Sequence, residues 1–424
     1  MPYLVSVLMM ASAYGIGNYF INLKSEAMGF IDPLHGYLVI LIIGFAGALA
    51  SMWLDASNYV HRQRWQFVAV LGSTALITLI FLWHNIGVRM NNPVPVARND
   101  GLVQSVDAAR FLLHGTNPYG ADYTTSDFRV YPSPRGDNQP NLAAHYFPYP
   151  PAVIYLFTPL VAMADSWHIA IDYQSVYTIC LFVVVALLCL LAKRWSTRSL
   201  IVLFTLGNPV VLWNALSGFN DLFFVAALLA ALLALDRRCW VLAGLAIGLA
   251  IGAKQTSWLL VPLWAWWLWL KYQRREINFQ PITKLAWSAV ISSLVIYLPF
   301  IVWNPGTLYL DIIRYVSGTI PNTLTISGAT LLQYFRVFGL IADPWTTFPT
   351  WIIQAPIVLL TLIMVGRWVK RSTKTSRLML SSAWLLLVVV LTNRFGGVNY
   401  FVPVIIFTVA AFVYGQLEEP QPRT

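Results

Sequence analysis

The chain reads as an all-α polytopic membrane protein, with about 12 transmembrane helices and an outer cap of loops and juxtamembrane helices. Three observations predict this. Of its 424 residues, 58% are hydrophobic and only 10% are charged, whereas a soluble domain carries about 25% charged residues. The mean hydropathy is +0.65. Apolar stretches of membrane-crossing length, about 20 residues for a hydrocarbon core of roughly 30 Å, recur along the chain. This composition lacks the polar surface of a soluble enzyme, a nucleic-acid binder or a disordered scaffold. The net charge of +10 calls for no polyanion partner, because membrane proteins gather Lys and Arg in cytoplasmic loops.

The expected spans lie at 3–21, 35–54, 66–86, 174–192, 199–216, 222–236, 239–253, 256–270, 285–303, 347–366, 378–392 and 398–415. The first has no basic n-region and no small-residue cleavage site, so it reads as a retained span rather than a signal peptide. Arg237 and Arg238 join two short spans as in a helical hairpin. With the N-terminus inside, Arg62 and Arg64, Lys193, Arg194 and Arg198, Arg237 and Arg238, the basic residues of 271–284 and of 367–377, and Arg423 fall in short cytoplasmic loops or the tail. Most Asp and Glu fall on the opposite side. Both termini are therefore expected in the cytoplasm, with the long segments outside.

One membrane domain over 1–424 is the simplest organisation. It comprises three N-terminal spans (1–86), a first large outer loop (87–173), central spans (174–303), a second outer segment (304–346) and C-terminal spans (347–424). The stretch 149–164 is apolar but short and holds three prolines, which predicts a juxtamembrane or re-entrant helix on the outer face. Pro150 and Pro151 suit its start, where a missing N–H costs nothing.

Candidate chemistry gathers on the outer side. Asp100, in Asn99-Asp100-Gly101, falls near the outer interface, where a carboxylate serves as general base if a substrate hydroxyl comes within reach. The same tripeptide also suits a tight turn. The spacing predicts a helix over 102–113 with Ala108, Ala109, Leu112 and Leu113 on its apolar face. Asp107 on that helix is either a second acid or a surface residue paired with Arg110. Gly115 and the Thr116-Asn117-Pro118-Tyr119 sequence end the helix.

Lys254 interrupts an apolar run at the outer mouth between two spans. A lysine there is costly, and it either snorkels to the headgroups or serves function, with an anionic phosphate as natural partner. Arg394, Arg336 and Arg314 also fall outside and are interfacial anchors or parts of a phosphate clamp. Asn220 and Asp221 are helix-capping types at the outer start of a span, or binders of substrate hydroxyls. Tyr119, His145, Tyr146 and Tyr149 are placed to contact a sugar, although an interfacial belt explains most of the 18 tryptophans and 20 tyrosines.

Cys180, Cys189 and Cys239 sit in or beside apolar runs and read as buried free thiols. No His or Cys spacing points to a metal, so no cofactor is required, although the outer acids are numerous enough for a divalent cation. There is no Walker loop, no GxGxxG opening a helix after a strand and no GxSxG, hence no soluble nucleotide site. Any activated donor must then arrive in the membrane.

The blocks NDGLVQSVDAARFLLHGTNPYGADY, YFPYPPAVIYLFTPL, NPVVLWNALSGFND and LAGLAIGLAIGAKQ run in order across roughly residues 98–260. Together they resemble bacterial membrane glycosyltransferases of the C-type fold, in particular the polyprenyl-phosphate-mannose-dependent α-mannosyltransferases. ISGATLLQYFRVFGL and TNRFGGVNYF match more loosely. The resemblance implies a polyprenyl-phosphate sugar donor, a lipid or glycan acceptor, and an Asp base in the first large outer loop, which Asp100 matches best. It also implies a basic residue for the donor phosphate, for which Lys254 is the match, and direct displacement with inversion at the anomeric carbon. Two departures stand out. The acid follows the third span rather than the first, and Gly101 stands where family members carry a bulky residue, which keeps Asp107 as the rival base. The expected function is transfer of a hexose, in first place mannose, on the outer face of the cytoplasmic membrane. The alternative is a transporter or lipid-linked-glycan flippase, against which the one-sided clustering of loops and charges argues.

Overall fold

The computed structural model describes residues 4–22, 33–56, 61–91, 99–131, 133, 141–321 and 324–418. Residues 92–98 of the first long segment and Arg423 lie outside the described residues. The chain is all-α. In order the helices are α1 (Leu4–Asn22), α2 (Pro33–Ala56), α3 (Arg62–Asn91), α4 (Asp100–Leu113), α5 (Ala152–Trp167), α6 (Ser175–Leu191), α7 (Trp195–Thr205), α8 (Pro209–Ser217), α9 (Asp221–Asp236), α10 (Trp240–Ala253), α11 (Val261–Gln273), α12 (Phe279–Trp303), α13 (Pro305–Tyr309), α14 (Leu331–Val337), α15 (Trp351–Arg371), α16 (Thr375–Thr392) and α17 (Phe401–Glu418). Two-residue strands β1 (Ser327–Gly328) and β2 (Phe395–Gly396) pair in parallel.

The expected spans overlap helical segments, but among the described residues length and hydropathy together qualify five helices as membrane-crossing, or six if one bent pair is a single span, rather than twelve. That pair is α7 and α8, read from sequence as one span over 199–216 and bent by 58°. The cause is local. Asn208 accepts the N–H groups of Val210 (3.0 Å) and Val211 (3.3 Å), Pro209 takes the first helical position, and a new helix starts there. The predicted 149–164 helix is present as α5, entered through Pro151 and shorter than a full span. The predicted 102–113 helix is α4. It begins at Asp100 and closes where Thr116 N–H bonds Phe111 C=O at 2.8 Å past Gly115, whose φ is +73°.

The chain divides into two compact units. One comprises residues 1–99, 174–219 and 412–424. In it α1 packs on α2, α2 on α3, α3 on α7, and α6 on α7 and α8. Gln66 Nε2 donates to Ser51 Oγ at 2.9 Å between the buried faces of α3 and α2.

The other unit comprises residues 100–173 and 220–411. Here α10 packs closely on α12, because Gly244, Gly248 and Gly252 leave room for Ser288, Ser292 and Ile296. A Cβ at Gly252 would come within 2.8 Å of Ile296. The helix α4 packs on α5, and α15 packs on α11 and α16. Trp287, Val295 and Val302 of α12 turn outward, an apolar surface suited to lipid.

Candidate active site

All of the candidate side chains singled out in the sequence lie in this second unit. Asp100 opens α4, and one of its oxygens accepts Gly101 N–H at 2.7 Å. The residue is exposed on one side, while the surrounding protein desolvates the carboxyl. That desolvation raises its pKa above the ordinary 3.8, against the opposing pull of the Gly101 N–H and its own N–H. An accessible carboxylate with a raised pKa is suited to accept a proton.

Tyr315 and Tyr400 lie within electrostatic reach of it. Tyr146 stacks on Tyr315, with centroids 4.6 Å apart and planes 17° apart. Burial pushes the Tyr315 phenol up, and the charges of Asp100 and Asp311 add to the effect. Tyr400 lies within electrostatic reach of both Asp100 and Asp221. One turn along α4 from Asp100, Gln104 Nε2 donates to Ala143 C=O (2.8 Å) and Tyr146 C=O (2.7 Å). The helix that carries the acid therefore also sets the backbone that carries Tyr146.

Asp107 faces a different environment. It is 2% exposed. One oxygen accepts Ser126 Oγ–H at 2.7 Å and Phe128 N–H at 3.0 Å, and the other accepts Arg110 at 3.0 Å. Arg110 continues to Asp127 at 2.6 Å. Burial raises the Asp107 carboxyl to about 6, more than Ser126, Arg110 and Phe128 bring it down. Its lone pairs are committed to holding the 3₁₀ turn at Asp127–Val130 against α4.

The cations sort in the same way. Lys254, 5% exposed at the C-terminus of α10, donates to Asp221 Oδ1 at 2.5 Å and Asn220 Oδ1 at 2.9 Å, with Tyr400 beneath it at 4.7 Å from the ring centroid. Asn399 donates to the other Asp221 oxygen at 2.9 Å. Asn220 sits at the N-cap position of α9, yet its side chain caps no backbone N–H, because its oxygen is turned to Lys254. Arg394 is fully buried and donates to the carbonyls of Leu324, Pro344 (3.3 Å), Thr346 (2.6 Å) and Phe348 (3.3 Å). Burial lowers it to about 10, so it stays charged at neutral pH. Arg336 on α14 is exposed, and Arg314 is exposed beside Tyr315. Arg336 donates to Gln333 Oε1 and Arg314 to Thr319 C=O, both long at 3.4 Å.

Tyr119 is buried edge-on to Phe147 and Phe300, and its hydroxyl donates to Tyr149 C=O at 2.9 Å. His145 is exposed, 3.7 Å from Asp122. Sequence reasoning missed two buried residues in this unit, Asp311 and Asn399. Asp311 lies on a π-turn over Leu310–Tyr315, and burial raises its carboxyl to about 7 despite N–H donation from Phe147 and Gly120. The one available signal was an isolated acid within a mostly apolar stretch. Among the described residues no group of three or more His, Cys, Asp or Glu side chains is gathered to hold a metal ion.

A family model described as glycosyltransferase family 87 matches residues 147–392. The matched stretch contains Asn220, Asp221, Lys254, Asp311, Arg314 and Arg336, and it begins after α4 and Asp100. Comparison with curated proteins and with solved structures returned no match.

Proposed function

The chain belongs to glycosyltransferase family 87, a C-type family of membrane glycosyltransferases, and from that premise we propose that Asp100 is the general base of a transfer from a polyprenyl-phosphate-linked sugar. The sugar is a hexose, in first place mannose. The acceptor is a lipid or glycan, and the reaction runs on the outer face of the cytoplasmic membrane with both termini inside. The observation that carries the proposal is an accessible, desolvated Asp100 within electrostatic reach of Tyr400 and of Tyr315, the ring on which Tyr146 stacks.

Asp100 takes the proton of the acceptor hydroxyl. The oxygen attacks the anomeric carbon as the bond to the phosphate oxygen breaks, and the polyprenyl phosphate leaves with the electron pair. Because the attack is direct, the anomeric configuration inverts. The leaving phosphate is a weak base and needs cationic stabilisation more than protonation. Arg314 and Arg336 are exposed and suit that role. Lys254 adds positive charge near Tyr400, with Asp221 as its resting counter-ion. Tyr146, His145 and Tyr149 offer aromatic and polar contacts for the sugars, and Tyr119 supports Tyr149 from below.

The test uses the full chain in liposomes with short-chain polyprenyl-phosphate mannose, glucose or arabinose and a crude lipid extract as acceptor. The expected result is transfer from the mannose donor into a product of inverted anomeric configuration. No transfer from any of the three, with lipid-linked sugar crossing the bilayer instead, would overturn the proposal in favour of a flippase.

A further inference from the structure

Asp311 has no exposed surface, and the two halves of its carboxylate are treated unequally. Its Oδ2 accepts two backbone N–H groups from distant chain, Gly120 at 3.0 Å and Phe147 at 3.1 Å. Its Oδ1 is buried and has no hydrogen-bond partner. No cation is paired with it among the described ion pairs. Burying a carboxyl without a cation is costly, and the two N–H groups identify what the burial gains.

Gly120 follows Tyr119 at a φ of +77°, and Phe147 follows Tyr146. A single oxygen on the π-turn thus fixes both backbone segments that carry these tyrosines. Tyr315, four residues along the same turn, receives the ring of Tyr146. Gln255 repeats the arrangement next door, donating to Pro148 C=O at 2.6 Å and Ile312 C=O at 3.2 Å from the residue after Lys254. π-Turns concentrate at functional sites.

The geometry points to Asp311 as the positioning residue of the site. By accepting the Gly120 and Phe147 amides on one oxygen, it holds the Tyr146–Tyr315 wall beside Asp100, and its charge is not required. This rests on the proposed reading of Asp100 as the base. In Asp311→Asn the amide oxygen still accepts both N–H groups, and the NH₂ occupies the place of the unpartnered Oδ1. Asp311→Ala removes the acceptor altogether.

The experiment compares wild type, Asp311→Asn and Asp311→Ala as purified full chains. Hydrogen exchange is followed on peptides covering Gly120 and Phe147, without substrate, and kcat and KM for transfer are followed separately. Asp311→Asn should keep both protection and transfer close to wild type. Asp311→Ala should lose protection at both peptides together and raise KM by about 10- to 100-fold, with a smaller change in kcat, as a displaced binding wall predicts. If Asp311→Asn keeps protection but loses transfer as completely as Asp311→Ala, the charge or proton itself is needed and the positioning role is overturned. Unchanged protection in Asp311→Ala would overturn it as well. If wild type transfers no sugar, the proposed function fails, while the exchange data still decide whether Asp311 holds the two segments.

Discussion

The two ends of α4 treat the same side chain in opposite ways. Asp100 stands at the first turn, exposed, with only local backbone N–H groups, those of Gly101 and of Asp100 itself, on its carboxylate. Asp107, two turns on, is sealed and accepts from Ser126, Phe128 and Arg110. Burial raises both carboxyls, so the raised pKa alone does not separate a reacting acid from a structural one. What separates them is whether lone pairs remain for a substrate. The cations of the same unit divide by that criterion too. Arg394 and Lys254 are committed to carbonyls and to Asp221, whereas Arg314 and Arg336 are exposed.

The largest effect belongs to Asp100. Removing a general base costs about 10²- to 10⁴-fold in rate, so Asp100→Asn should lose transfer by that factor and keep its thermal midpoint. Next comes the Lys254–Asp221 pair. Neutralising either member alone leaves a buried charge unpaired and should cost about 3–5 kcal/mol, read as a drop in the detergent unfolding midpoint. The double variant Lys254→Met with Asp221→Leu should recover much of that. If the recovered double variant still fails to bind donor, Lys254 meets the donor phosphate directly; restored binding would limit it to the structural pair. Asp107→Ala strands Ser126, Phe128 and Arg110, and should cost about 1–3 kcal/mol while the surviving folded protein keeps its turnover.

The smallest effect is on pH. Asp107 near 6 and Asp311 near 7 hold protons in the folded chain that an ordinary carboxyl of 3.8 has released. The folded state therefore binds more protons than the unfolded state over that window. Their contribution to stability is greatest below about pH 4 and falls as pH rises toward 7, where it levels off. Midpoints measured from pH 4 to 8 should show this slope, and Asp311→Asn should flatten its upper part. Turnover runs the other way. Asp100 must be ionised to accept a proton, so transfer should rise with pH through a value above the ordinary 3.8.

Much of this molecule is legible from local sequence. The apolar runs place the helices, the Pro-Pro entry places α5, and the Gly115 turn ends α4, because each depends on residues within a few positions of one another. Lys254 is visible as a charge in an apolar run, but its partner lies 33 residues earlier, and nothing local joins them. Arg394 reads as a free guanidinium until the chain folds four carbonyls from 324–348 around it. Asp311 is the furthest case. Its two amides come from 164 and 191 residues away, a separation that no periodicity records. The break between α7 and α8 was missed for a different reason. The hydropathy of 199–216 is continuous, and the Asn208-Pro209 start signal inside it is outweighed in a span-length window.

Whether Asp100 is the base is decided by comparing Asp100→Asn and Asp107→Asn in one liposome assay, at matched amounts of folded protein and neutral pH. The initial rate of sugar transfer from the polyprenyl-phosphate donor is read for each. Asp100→Asn should fall by about 10²- to 10⁴-fold, and Asp107→Asn should stay within the same order of magnitude as wild type. Activity retained in Asp100→Asn, with loss confined to Asp107→Asn, would contradict that role for Asp100 and move the base two turns along α4.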